Sequence, residues 1–118
     1  YLRQAVTERP DDPDALNALA WLLATSPDPA VRDGAGAVSA AARAVAVTHA
    51  SDPNVLDTQA AALATAGRFA EAAAIAQRAG GIAARAHADS LAAPIRARLA
   101  LYRAGRAFVD SSRIVRAR

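Results

Sequence analysis

Three carboxylates crowd the early part of the chain: Asp11, Asp12 and Asp14 fall within four positions. Such a cluster can gather a cation or cap a helix. Pro13 decides for the cap, because aspartate favours the position before a helix and proline the first position inside it. The two histidines, His49 and His87, form no His–Glu pair with metal-ligand spacing and read as solvated surface groups. There is no cysteine, hence no thiolate nucleophile and no disulfide framework, and the redox compartment stays open. No glycine-rich phosphate loop follows a strand. Nothing converges on catalysis, so the chain reads as a non-enzyme, with no metal site and no cofactor.

Charge is the next candidate chemistry. Every basic residue is an arginine, and the formal net charge is +3. Its distribution is uneven. Residues 1–57 carry four arginines against eight acids, and residues 58–118 ten against three, so the halves stand at −4 and +7. Arg96, Arg98, Arg103, Arg106, Arg113, Arg116 and Arg118 form a basic carboxyl-terminal region, which could meet nucleic acid, an acidic membrane or an acidic protein. Aromatics make up 4% of the chain, too few to interleave with the arginines as stacking platforms, and no nucleic-acid motif occurs. Docking to an acidic protein surface is the favoured reading of this end, with Arg98 and Arg106 as its candidates.

The elements that hold these groups are helices. Hydrophobic residues make up 53% of the 118, and 36 of them are alanine, so a thick core of large side chains is ruled out. Closely stacked helices are favoured, since alanine has the best helix propensity and lets backbones approach. Residues 52–79 read as a complete helix–turn–helix. Asp52 caps, Pro53 opens, Leu56, Ala60, Leu63 and Ala64 recur at helical spacing, and Gly67 ends the first helix. Phe69, Ala72, Ala73, Ala76 and Ala79 make the second stripe.

Earlier residues repeat this unit. Asp12–Pro13, Leu16, Ala20 and Leu23 stand 40 positions before Asp52–Pro53, Leu56, Ala60 and Leu63. Ala37, Ala41 and Ala44 stand 35 before Ala72, Ala76 and Ala79. The difference of five places an insertion at residues 26–30, in the first turn. The helix at 13–25 should stop before Pro27 and Pro29, and its partner should be firm from about Ala35 to Val47. The later helix is expected to continue through Gly80–Gly81 to about Ala88. Over 90–105, Pro94 predicts a kink or a start near Ala93. Ala104–Gly105–Arg106 repeats Ala66–Gly67–Arg68 at a spacing of 38. That alignment sets Arg98 where Ala20 and Ala60 stand, as on the polar outer face of a terminal cap.

The period and the small-residue spacing resemble the tetratricopeptide repeat. Leu56, Ala60, Leu63, Gly67, Phe69, Ala72, Ala76 and Ala79 carry the likeness, and Leu16, Leu19, Ala20, Leu23, Ala37, Ala41 and Ala44 repeat it. Gln59 departs from it, standing where a large apolar residue is usual. The stretches LAWLLATSPDP, VLDT and AGRF look like a bacterial subtype that often ends longer or membrane-anchored proteins. The resemblance implies an all-α solenoid of antiparallel helix pairs with a capping helix. Residues 1–108 would form the repeat domain: 1–9 the end of a preceding repeat, 12–47 and 52–79 repeats, and 80–108 a degenerate repeat or cap. The tail, 109–118, has no partner pattern and is expected to be extended or disordered unless bound. Tyr1 falls inside a helix and is not Met, which suggests a piece of a longer protein. No run reaches the roughly 20 apolar residues of a membrane span. No targeting segment is visible, so a cytoplasmic place and a membrane-attached complex both stay open.

The same resemblance implies protein or peptide binding in a concave groove lined by the first helix of each pair. By position, that groove presents Asp14, Asn17, Trp21 and Thr25, then Asn54, Asp57, Ala61 and Thr65, then Leu99, Tyr102 and Arg103. Trp21 and Tyr102 are its candidate anchors, although Trp21 could equally pack between helices. The other reading is an accessory segment that stabilises a larger complex, membrane-bound or otherwise, by docking through its arginine-rich cap. Self-association stays open as well, since the first helix lacks a partner of its own.

Overall fold

Capping explains where the helices begin. The computed structural model describes residues 2–110, and these form α1 (Leu2–Glu8), α2 (Pro13–Thr25), α3 (Gly34–Val47), α4 (Pro53–Thr65), α5 (Phe69–Arg85) and α6 (Asp89–Arg103). No strand occurs among the described residues. Asp12 and Asp52 precede α2 and α4 in extended conformation, and their carboxylates accept the N–H groups of Asp14 (3.0 Å) and Asn54 (2.9 Å). Asp33 does the same for Gly36 at the start of α3 (3.0 Å). Each satisfies one of the donors that a helix start leaves without a partner.

The ends of α4, α5 and α6 share one device. Past α4, Gly67 takes φ +84° and the Arg68 N–H returns to the Leu63 carbonyl (2.8 Å). Past α6, Gly105 at φ +71° sends the Arg106 N–H to Leu101 (2.9 Å). Past α5, His87 fills the glycine's position at φ 57°, and the Ala88 N–H reaches Ala83 (2.9 Å). His87 is exposed, as is His49 beyond α3. The left-handed residue closes the helix in every case, and only two of the three are glycine.

α5 runs unbroken through Gly80–Gly81, as the apolar stripe predicts. α6 corrects one of the two outcomes expected of Pro94, a start near Ala93. It starts at Asp89, with Pro94 in its second turn. So near the helix start, the missing N–H leaves only the carbonyl of Ser90 without a helical donor, and Ser90 is exposed to water.

Long-range bonds set the packing. The Asp33 N–H donates to the Leu23 carbonyl (2.8 Å), while Arg43 Nη2 donates to Pro10 O (2.6 Å). The start of α3 therefore lies by the end of α2 and its end by the start, so the two run antiparallel. Arg78, late in α5, reaches the Ala50 carbonyl just ahead of α4 (3.3 Å), which makes α4 and α5 antiparallel too. Thr65 Oγ1 donates to Ala24 O (2.6 Å), so α4 ends beside the end of α2. α3 packs on both α2 and α4, α5 packs on α4 and α6, and α4 also touches α2 and α6.

Alanine makes the seams. Ala20, Ala37, Ala41 and Ala44 in the first pair are wholly buried, and so are Ala60, Ala72, Ala76 and Ala79 in the second. Positions matched by spacing thus share burial. The turns differ by the expected five residues: 26–33 between α2 and α3, against 66–68 between α4 and α5. Among the described residues, no helix is long and apolar enough to cross a membrane.

Candidate functional site: a polar groove across three helices

Together α2, α4 and α6 line a cavity of about 490 Å³. α2 lines it with Asp14, Asn17 and Trp21, α4 with Asn54, Asp57 and Thr58, and α6 with Leu91 and Arg98. Asp14, Asn17 and Trp21 reach one wall because they recur at three- and four-residue steps, off the stripe that Leu16, Ala20 and Leu23 bury. Asn54 and Asp57 repeat that placement one helix over. Five residues expected in a groove are therefore brought together: Asp14, Asn17, Trp21, Asn54 and Asp57.

Six others are not: Thr25 and Ala61 are buried, Thr65 bonds the Ala24 carbonyl, and Leu99, Tyr102 and Arg103 also stand outside the lining. Leu99 and Tyr102 are buried with Ala60, Leu63, Ala72 and Ala76, so they are core residues rather than groove anchors. The α6 stripe that carries them has to cover the α4–α5 seam. Arg103 is exposed and stands outside the cavity lining, as does Arg106.

Arg98 is the main correction. Instead of facing outward as a cap charge, it turns into the groove with its side chain 13% exposed. Its Nε and Nη2 donate to Asp57 Oδ1 (3.0 Å) and Oδ2 (2.6 Å), a forked pair. Asp57 is 5% exposed, and a carboxylate there needs a partner cation. Burial pushes the Asp57 carboxyl up from its ordinary range, and the Arg98 hydrogen bond and charge pull it back. One signal in the sequence could have found the pair. Asp57 and Arg98 each put a charge on an otherwise apolar flank, in helices that had to face each other.

Aromatic rings close one end. The Arg98 guanidinium lies 5.3 Å from the Trp21 ring and 5.1 Å from the Phe108 ring. The two rings are 5.8 Å apart and tilted by 41°. Phe108 gets there because Gly105 turns the chain back after α6. Asp110 then fastens it: its N–H donates to the Thr25 carbonyl (2.8 Å), and its Oδ2 accepts the Trp21 indole N–H (3.3 Å). The tail expected to lack a partner therefore has one at Asp110, its second residue, and the rest of it (111–118) lies outside the described residues. Phe108 and Asp110 went unnoticed because 89 positions separate Asp110 from Trp21.

The other end of the groove is polar and acidic, with Asp14, Asp52 and the amides of Asn17 and Asn54. Asn17 Oδ1 is buried and has no hydrogen-bond partner among the described residues. Buried acceptors are normally paired, so this one calls for a donor. Among the described residues, no group of three or more His, Cys, Asp or Glu could hold a metal ion. No nucleophile–base pair stands in the groove either. What the arrangement can do is accept hydrogen bonds and cations at one end and hold an aromatic ring at the other. Comparison with protein-family models, curated proteins and solved structures finds no match for this chain.

Proposed function

We propose that the chain is a non-catalytic protein-binding module of the tetratricopeptide-repeat kind, and that it takes a peptide or protein segment in the groove across α2, α4 and α6. The observation that carries this reading is the buried, unpaired Asn17 Oδ1 in the wall of an open polar groove. A bound backbone N–H or a cationic side chain would satisfy it, with Asp14 and Asn54 beside it. The antiparallel helix pairs, the shared burial of matched positions and the lining of one cavity by α2, α4 and α6 support the same reading. The accessory-docking alternative is weaker, because Arg98, one of its two candidate residues, is spent on Asp57 inside the groove.

The test is a binding screen with a library of short peptides, read by isothermal calorimetry against groove variants. Asn17→Ala and Asp14→Arg are expected to lower the affinity of the best peptide by about tenfold, the size of one lost hydrogen bond to a charged group. Both should leave the helix content unchanged. Asp57→Arg is unsuitable for this purpose, because it destroys a buried pair. If peptide capture depends on Arg103 and Arg106 and is indifferent to Asn17 and Asp14, the groove is not the binding surface.

A further inference from the structure

Residues 106–110 pass the aromatic end of the groove without belonging to any helix. Their contacts include one backbone bond to Thr25, one side-chain bond from the Trp21 indole, and the seat of Phe108 against Trp21 and Arg98. Arg106 and Ala107 are exposed, and Val109, at 39%, is the one large hydrophobic residue among those described that stands exposed. The segment behaves as a short extended ligand. One ring is inserted, the next side chain points to water, and the carboxylate after it takes the indole N–H.

We infer that the Trp21–Arg98 shelf is a docking site for a partner segment with an aromatic residue two positions before an acidic one, and that Phe108-Val109-Asp110 is an internal stand-in which the partner displaces. This rests on the groove reading above and names the partner chemistry at its aromatic end. The chemistry follows from the shelf itself. A guanidinium already fixed by Asp57 offers its face to a π-system, the tilted Trp21 ring offers a second wall, and the indole N–H together with the last carbonyls of α2 ask for an acceptor and a donor. Displacement leaves α6 in place, because the segment belongs to no helix and Gly105, at φ +71°, can swing the chain.

Trp21 is the only tryptophan in the chain, so its fluorescence reports the shelf directly. Phe108→Ala in the full chain should shift the emission to the red. A blocked peptide of residues 106–110, Arg-Ala-Phe-Val-Asp, should then bind that variant about tenfold more tightly than the wild type, the gain expected when a site closed nine-tenths of the time is opened. Asp110→Ala should act in the same direction without exposing apolar surface, and Val109→Ser should change nothing. Circular dichroism checks that the helices survive. The inference is overturned if the peptide binds the wild type and Phe108→Ala equally, or binds neither while the helices are intact. It is also overturned if the wild type forms dimers that Phe108→Ala abolishes, since a second copy would then be supplying the ring. Failure here is separable from failure of the groove reading. Peptides that need Asn17 and Asp14 but ignore Phe108 would keep the groove and remove the shelf.

Discussion

The seams between paired helices and the face across α2, α4 and α6 follow opposite rules. In the seams, alanines are wholly buried, carry no polar group and leave no room. On the face, one molecule collects a buried ion pair, a half-buried indole, an unpaired amide oxygen and the segment that returns after α6. Both regions are covered by the same helices, so helix formation does not explain the difference. Stability alone would fill the face with apolar side chains, because a buried ion pair is often no better than a well-packed hydrophobic one. The polar face is the surface on which the proposed binding would act.

The sharpest way to break this comparison is Arg98→Ala. It leaves the Asp57 carboxylate buried without its cation and should cost about 3–5 kcal/mol of stability, measured by urea unfolding. Replacing both, Asp57→Leu with Arg98→Leu, should recover most of that loss. A single-variant cost no larger than that of a surface charge would show that the face is as forgiving as any solvated helix. Next comes the seam. Ala76→Leu should lose about 1–3 kcal/mol by overpacking, while Asn54→Leu, exposed on the face, should stay within about 0.5 kcal/mol.

Tyr102→Phe sharpens the contrast in the other direction. The Tyr102 hydroxyl is buried and lacks a hydrogen-bond partner among the described residues, so its removal should gain about 1 kcal/mol. Burial pushes the phenol well above its ordinary value, the Asp57 charge adds to that, and Arg98 draws it back somewhat. The folded chain therefore keeps a proton that the unfolded chain releases near pH ~10. Stability should fall as pH rises past that point, and Tyr102→Phe should flatten the fall. The smallest effect is expected at Glu71→Gln. The Arg68–Glu71 pair is forked (2.9 and 2.7 Å) but exposed, and its loss should leave the urea midpoint where it was.

Much of the fold could be read beforehand, and the reason is local. Asp12–Pro13 and Asp52–Pro53 announce helix starts through bonds closed within two residues. Gly67 and Gly105 announce ends through bonds closed within one turn. Alanines at matched spacing mark the buried stripes. Of the two outcomes expected of Pro94, a start near Ala93 does not occur, because the proline is costly only where its lost bond is sheltered, and the exposure of Ser90 is a tertiary fact. The groove was half legible: α2 and α4 residues on its walls followed from periodicity, but Leu99 and Tyr102 were placed there wrongly. Which flank of α6 covers the seam depends on its rotation against α5.

Amino-acid order by itself determined that this chain is helical, where most helices begin and end, and which small side chains they bury. Each of those outcomes is settled by neighbours a few positions apart. Only the tertiary structure decided that Arg98 turns inward to Asp57, that Phe108 and Asp110 return to Trp21, and that Asn17 is left with an acceptor to offer. These contacts span 41 to 89 positions, and they exist only once the crossing of the helices has brought the groups within reach.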